Sequence, residues 1–179
     1  MSTRKNKFSK KDKKYMSLAL SLASARHGLT GENPSVGCII VKNDKIISIG
    51  QTGYNGRPHA EFNAIKNSTE ILDGSTMYVT LEPCSHYGQT PPCTNIIIKN
   101  KIGTIIYSME DVDKKVKGKS LKILRLKNAI VKKGLLSEEM IEFYKPYIFN
   151  RINKIPYVTG KIAVSKNNLI YSKGTKRIT

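Results

Sequence analysis

The sequence lacks tryptophan and long apolar runs, and it has only three cysteines. No apolar stretch approaches the ~20 residues that a membrane-spanning helix needs, and the first residues, MSTRKNKFSKKDKK, lack the apolar centre of a signal peptide. An odd number of cysteines without an export signal argues against a disulfide framework. We therefore expect a cytoplasmic protein that has no membrane partner.

Acidic residues are also scarce. Only 13 Asp and Glu stand against 31 Lys and Arg, which gives a formal net charge of +18. Such an excess can indicate a nucleic-acid partner. The basic residues are spread over the first 14 residues, Asp111 to Lys133 and Arg151 onward, and Lys, Ile and Asn are all abundant. We interpret the charge mainly as compositional drift and expect no nucleic-acid partner, while an anionic ligand such as a phosphate stays open.

Helical and extended segments alternate along the chain. Helices are predicted at Lys10 to Arg26, His59 to Lys66, Cys93 to Lys99, Lys119 to Leu126, and Ser137 to Asn150 with Ser137 as its capped start. Strands are predicted at Val36 to Val41, Lys45 to Ile49, Thr76 to Leu81, Thr104 to Ser108, Ala129 to Val131, and Tyr157 to Val164. Asn43 and Asp44 are expected to join the first two strands as a hairpin. This alternation indicates an α/β domain with a sheet between helices.

Four residues suit a metal-dependent reaction. His59 and Glu61 lie two positions apart, and Cys84 and Cys93 follow in a turn-rich segment. One histidine and two cysteines can fill three of zinc's four tetrahedral positions and leave the fourth for water, whose pKa zinc lowers toward ~7. Glu61 can reach that water as a proton shuttle. The pattern predicts a catalytic zinc site with His59, Cys84 and Cys93 as ligands and Glu61 as general acid–base.

The other histidines and the third cysteine have simpler interpretations. Cys38 lies in an apolar segment and is predicted to belong to the core. His27 follows a predicted helix, and we expect a capping or surface role. His86 either approaches the site or remains a loop residue. A zinc-stabilised nucleic-acid-binding module is the non-enzymatic alternative, but a purely structural site has no use for the carboxylate of Glu61.

The order of these motifs resembles a known family. His59-Ala60-Glu61, followed by Pro83-Cys84 and a later cysteine, is similar to the signature of the zinc nucleoside and nucleotide deaminases. The loop from Cys84 to Cys93 is longer than the usual Cys-x-x-Cys. It closely resembles that of the pyrimidine deaminase of riboflavin biosynthesis, usually the N-terminal half of a bifunctional deaminase/reductase. The resemblance includes Asn33-Pro34-x-Val36-Gly37 and runs from about Tyr15 to Asn150.

This resemblance implies a fold, a reaction and site residues. The fold would be the three-layer α/β/α cytidine-deaminase-like sandwich with a mixed central sheet. The substrate would be 2,5-diamino-6-ribosylamino-4(3H)-pyrimidinone 5′-phosphate, a small pyrimidine ribosyl phosphate, which is deaminated with release of ammonia. One zinc per chain would be held by the three ligands, and Asn33 would bind the substrate. The family commonly has Lys or Arg where this chain has Gln89, so Gln89 faces the substrate phosphate without charge, and Arg57 is the candidate replacement.

The resemblance also bears on organisation and on rival substrates. Residues 1–150 are expected to form the deaminase domain, and residues 151–179 the truncated start of a reductase. In that tail Lys166-Asn167-Asn168 and Arg177 depart from the family pattern. NADP would bind only if the reductase domain were present, and a homo-oligomer is expected. A tRNA adenosine, a cytidine or deoxycytidylate are the alternative deaminase substrates.

Overall fold

Residues 8–170 are described by the computed structural model of this chain. The strands are β1 (Gly37–Lys42), β2 (Lys45–Gln51), β3 (Thr76–Leu81), β4 (Thr104–Met109) and β5 (Ile130–Lys133). The helices are α1 (Lys10–Ser24), α2 (Ala60–Lys66), α3 (Cys93–Lys99), α4 (Lys119–Leu126), α5 (Ser137–Phe143) and α6 (Lys145–Asn153). The strands form one sheet in the order β2-β1-β3-β4-β5. Because β1 is antiparallel to β2 and β3 whereas β3, β4 and β5 are parallel, the sheet is mixed.

Helices cover both faces of the sheet. A Cβ atom on Gly37 would collide with the backbone of Ala19 in α1, so α1 packs directly on that face. Gly50 pairs with Cys38, the next residue along β1, and therefore points to the opposite face. A Cβ atom on Gly50 would collide with Ala64 in α2. The two close approaches place α1 and α2 on opposite faces, which gives the predicted three-layer α/β/α arrangement.

The carboxyl ends of β3 and β4 lie side by side, where the backbone N–H of Glu82 donates to the carbonyl of Met109. The segment after β3 leads through Cys84 to α3, and the segment after β4, residues 110–118, leads to α4. Ligand sites in sheets with parallel strands commonly lie beyond such strand ends. This edge carries the candidate site.

Most predicted elements are confirmed to within two residues, but three expectations are wrong. The helix predicted from Ser137 to Asn150 is two helices, which break at Tyr144. Pro146 lies in the first turn of α6, where its missing N–H is harmless, whereas in a continuous helix the proline ring would clash with the preceding turn. Ser137 does not cap α5 either, because it is the first helical residue and Leu136, at φ 54°, precedes it.

The strand predicted from Tyr157 to Val164 is also wrong. These residues have no regular secondary structure and are exposed, and the five-stranded sheet provides no neighbour with which they pair. Tyr157 instead packs its ring on Phe149, with 5.4 Å between the ring centroids. Arg177 lies outside the described residues. Within residues 8–170, none of the helices combines the length and the apolar character that crossing a membrane requires.

Candidate metal centre and active site

His59, Cys84 and Cys93 converge at the carboxyl edge of the sheet. His59 is the N-cap of α2, Cys93 is the first residue of α3, and Cys84 lies in the segment after β3. The Nδ1 atom of His59 lies 3.5 Å from the Sγ of Cys84 and 3.4 Å from the Sγ of Cys93. All three potential ligand atoms lie within 4.8 Å of one another. Two helix starts and one strand end therefore bring together side chains that are up to 34 positions apart.

This donor set fits zinc. Bonds of about 2.3 Å to sulfur and 2.0–2.1 Å to nitrogen at tetrahedral angles require N···S separations of about 3.5 Å. The observed separations of 3.5 and 3.4 Å match that requirement without movement of the side chains. Three protein ligands leave one tetrahedral position for a further ligand, as in catalytic rather than structural zinc sites.

The two thiols are electronically unequal. The hydrogen bond from Cys93 lowers the pKa of Cys84 to about 4, and the backbone N–H of Cys93 adds a second hydrogen bond, 3.2 Å from the Sγ of Cys84. The same thiol–thiolate hydrogen bond raises the pKa of Cys93. A divalent cation would need to displace the remaining thiol proton, because zinc binds thiolates. The thiolate is therefore favoured at Cys84, the sulfur that accepts a hydrogen bond from the backbone N–H of the first residue of α3.

Glu61 lies in the first turn of α2 and is only 4% exposed. Burial raises the pKa of Glu61 to about 7, and the nearby His59 opposes that rise. A carboxyl group with a pKa close to neutrality can both accept and donate a proton under physiological conditions. This pKa and its position beside the two thiols suit Glu61 to proton transfer within the cluster.

A cavity of about 270 Å³ opens beside these residues. Its first wall, which we call the metal side, is formed by residues of the stretch 33–86: Asn33, Pro34, Val36, Thr52, Gly56, Arg57, His59, Glu61, Leu81, Glu82, Cys84 and His86. Its second wall, which we call the loop side, is formed by Asp111, Asp113, Lys115, Val116, Tyr147 and Arg151. The cavity therefore combines a thiol, carboxylates and cations within one small volume.

Two of the three predicted substrate-binding residues line the cavity. Asn33 donates from Nδ2 to the carbonyl of Gly56 over 3.4 Å. Gly56 has a φ of +86°, and a Cβ atom there would strike the Asn33 side chain, so glycine is required for this contact. Arg57 lines the cavity and donates from Nη1 to the Oγ1 of Thr90 over 2.7 Å. Gln89 is exposed and does not line the cavity, so its predicted role remains a prediction.

The structure also shows the positions of Cys38 and the two remaining histidines. Cys38 is fully buried in β1, which confirms the core prediction. His27 is exposed and packs its ring on Phe143 with 5.1 Å between ring centroids, beyond the end of α1. His86 lines the cavity, and its buried Nδ1 has no hydrogen-bond partner among the described residues. Of the two interpretations of His86, the structure supports approach to the site.

The loop side was not found from the sequence. Asp111 is buried, which raises its pKa, and it accepts a hydrogen bond of 2.8 Å from the hydroxyl of Tyr147. Tyr147 and Arg151 lie four positions apart on α6 and therefore share one helix face. In the sequence, only that spacing and the position of Asp111 just after a strand could have indicated these residues. Neither feature predicts that α6 packs beside the segment that follows β4.

Comparison with known proteins agrees with this architecture. Residues 9–109 match the family model described as the cytidine and deoxycytidylate deaminase zinc-binding region. The chain belongs to this family. The predicted family resemblance and the cytidine-deaminase-like fold are thus confirmed, and the description of the matched region supports zinc as the metal.

Relatives place this deaminase-family chain more narrowly. It is 44% identical over 137 residues to the diaminohydroxyphosphoribosylamino-pyrimidine deaminase of Buchnera aphidicola from Schizaphis graminum, covering 76% of this chain and 93% of that protein. It is 41% identical over 152 residues to the riboflavin biosynthesis protein RibD of Aquifex aeolicus, covering 85% of this chain and 43% of that protein. Among solved structures, Acinetobacter baumannii RibD aligns with a TM-score of 0.83 at 34% identity, over 95% of this chain and 48% of that one.

The relatives therefore differ in length. The chain spans nearly all of the Buchnera protein, but less than half of the Aquifex and Acinetobacter proteins. The family model ends at residue 109, so it includes the metal side of the cavity and stops before the loop side.

Proposed function

We propose that the chain is a zinc-dependent hydrolase of riboflavin biosynthesis that deaminates 2,5-diamino-6-ribosylamino-4(3H)-pyrimidinone 5′-phosphate. The observation that carries this proposal is the convergence of His59, Cys84 and Cys93 beside a cavity that His59, Cys84 and buried Glu61 line. The names of the relatives, pyrimidine deaminase and riboflavin biosynthesis protein, support the choice of substrate.

His59, through Nδ1, and the sulfurs of Cys84 and Cys93 would hold the zinc. Bound there, zinc would supply Lewis-acid activation of a water molecule at its open coordination position. Helix starts keep two of the ligands in position, because His59 is the N-cap of α2 and Cys93 is the first residue of α3.

Glu61 would move the protons. Its carboxylate accepts a proton from the attacking water and delivers it to the ring nitrogen, while oxygen adds to the ring carbon that bears the amino group. A second proton passes through Glu61 to the amine, which leaves as ammonia as the carbonyl forms. The pKa near 7 suits both transfers, because a general acid–base works best when its pKa is close to the operating pH.

The remaining lining residues would bind and orient the substrate. On the metal side Asn33 carries an amide, and on the loop side Asp111 and Asp113 carry carboxylates. Arg57 is the cation nearest in sequence to the metal ligands and lies against Thr90, so we propose that it replaces the charge that Gln89 lacks. A charge-assisted hydrogen bond to a phosphate is roughly twice as strong as a neutral one.

Ammonia release tests the proposal. The zinc-loaded protein is incubated separately with the diaminopyrimidine ribosyl phosphate, cytidine, deoxycytidylate and a tRNA anticodon-loop oligonucleotide, with the Glu61→Gln protein as matched control. We expect ammonia from the first substrate alone, and only with Glu61 present. Preferred turnover of another base would support the rival deaminases, and no turnover combined with RNA binding would support a non-catalytic module. A homo-oligomer, a cytoplasmic location, the absence of a nucleic-acid partner and the reductase character of residues 151–179 remain predictions.

A further inference from the structure

Glu82 is a buried acidic residue to which the proposed reaction assigns no role. It follows β3, is 3% exposed, and lies two positions before Cys84. Within residues 8–170 no salt bridge reaches it. Burying a carboxylate is costly unless hydrogen bonds compensate it. Its surroundings must therefore provide donors.

Four donors surround the Glu82 carboxylate, and all of them come from the segment that follows β4. Oε2 accepts from the backbone N–H of Asp111 at 3.3 Å and from that of Gly118 at 2.9 Å. Oε1 accepts from the backbone N–H of Ser120 at 3.1 Å and from its hydroxyl at 2.7 Å. The carboxylate thus joins both ends of the loop formed by residues 110–118.

The same contacts supply the cap that α4 otherwise lacks. Gly118 is the N-cap of α4, has a φ of 72°, and carries no side chain that could accept a hydrogen bond from the first turn. Glu82 accepts that bond from Ser120 instead. A negative group at a helix N-terminus also interacts favourably with the helix dipole. One side chain therefore fixes the start of α4 and the end of the loop.

The loop that Glu82 holds forms most of the loop side of the cavity. Asp111, Asp113, Lys115 and Val116 all belong to it and face the cavity that also contains His59 and Cys84. The Asp111 carboxylate is oriented further by the N–H of Asp113 at 2.9 Å. Glu82 lies two positions before Cys84, and its carboxylate binds the loop, so it connects the metal side with the loop side.

We propose that Glu82 is a positioning residue, which holds the loop of residues 110–118 so that Asp111, Asp113 and Lys115 meet the substrate at a fixed distance from the metal ligands. The identity of the substrate in this inference rests on the proposed function. The role of Glu82 in holding the loop does not depend on the proposed function.

The test is the Glu82→Gln variant. Glutamine has almost the same shape, but one of its two terminal groups is an NH₂ donor instead of an acceptor oxygen. Because both carboxylate oxygens of Glu82 accept from backbone N–H groups, at least one backbone N–H loses its acceptor in either orientation of the amide. We expect about tenfold faster amide hydrogen exchange at Asp111, Gly118 or Ser120 and an increase in KM of about tenfold, as for an unsatisfied buried donor. The kcat should change less than threefold, and zinc should remain at one per chain.

Glu110→Gln is the matched control. Glu110 belongs to the same loop, pairs with Lys133 and does not line the cavity, so its variant should leave exchange at residues 111–120 and KM unchanged. If Glu82→Gln does not fold, Ser120→Ala removes one of the four bonds and should raise exchange and KM by about two- to threefold.

Three results would overturn the proposal: unchanged exchange across residues 111–120, a fall in kcat at constant KM, or loss of zinc, which would show that Glu82 acts through Cys84. Failure of the proposed function is distinguishable. If the wild-type protein releases no ammonia from the diaminopyrimidine phosphate, the exchange measurement still decides the role of Glu82, and KM is measured with the base that the protein does accept.

Discussion

The two walls of the cavity come from different parts of the chain and carry different chemistry. The metal side lies within residues 33–86 and supplies two histidines, a cysteine, an arginine and the buried carboxyl groups of Glu61 and Glu82. The loop side lies within residues 111–151 and supplies two carboxylates, a tyrosine and two cations. The family model includes the first and ends before the second. We propose that the proton chemistry lies on the metal side, which the family model includes, and that the loop side adds substrate contacts to those proposed for Asn33 and Arg57.

Removing a metal ligand should have the largest effect. In Cys84→Ala we expect zinc far below one per chain and no measurable ammonia release, because one of three protein ligands is lost and the remaining thiol cannot complete the site. Elemental analysis of the purified protein measures the zinc. The matched control is Cys38→Ala, since Cys38 is buried in the core and is not one of the three potential ligands, so this variant should keep its zinc. A Cys84→Ala protein with stoichiometric zinc would remove Cys84 from the metal site.

Removing the proton shuttle should have the next largest effect. Glu61→Gln keeps the shape of the side chain but cannot accept or donate the proton, so kcat should fall by about 10²–10⁴-fold or more. Zinc content should stay at one per chain, which separates this effect from ligand loss. Steady-state ammonia release measures the rate. Activity within a few-fold of wild type would be incompatible with an acid–base role for Glu61.

Arg57 tests whether the metal side also contributes to specificity. If its guanidinium binds the phosphate, Arg57→Ala should raise KM roughly tenfold for the phosphorylated substrate and leave the dephosphorylated nucleoside unaffected, through loss of a charge-assisted hydrogen bond. Its Nη1 also lies 3.3 Å from the Nε2 of His59, so an effect exerted through the metal ligand is the competing explanation. That explanation predicts equal losses with both substrates. Arg125→Ala, outside the cavity, serves as control.

Gln89→Lys should have the smallest effect, and in the opposite direction. The exposed position of Gln89 predicts that a lysine there lowers the KM of the Arg57→Ala protein only two- to threefold, since exposed charges contribute little. The measurement is KM for the phosphorylated substrate in the double variant. No change in KM would show that position 89 does not approach the phosphate in this chain.

The metal side was predictable from the sequence, whereas the loop side was not. Histidine and cysteine are common zinc ligands and rare residues in this chain, so three of them in a recognisable order marked the metal site. Asp111, Tyr147 and Arg151 are common residue types, and the bond between Tyr147 and Asp111 joins positions 36 residues apart. Only the packing of α6 beside the end of β4 brings them together.

The same distinction applies to the fold. Strand β3 and helices α3 and α4 have the predicted bounds, because local periodicity and turn residues define them. The helix break before Pro146 follows from the exclusion of proline from helix interiors, although the apolar spacing of Ser137 to Asn150 predicted one continuous helix. The strand expected at Tyr157 to Val164 required a partner strand, and strand pairing cannot be deduced from the apolar pattern of one segment.

The division of labour between the walls is tested most directly by steady-state kinetics of Asp111→Asn beside Glu61→Gln, with the diaminopyrimidine ribosyl phosphate as substrate. Asp111 is buried on the loop side and bonded to Tyr147, whereas Glu61 is buried among the metal ligands. We expect Asp111→Asn to raise KM about tenfold with kcat within threefold of wild type, as for a lost charged hydrogen bond, and Glu61→Gln to lower kcat at nearly constant KM. A fall in kcat in Asp111→Asn as large as that in Glu61→Gln, at unchanged KM, would contradict a recognition role for the loop side and the restriction of proton chemistry to the metal side.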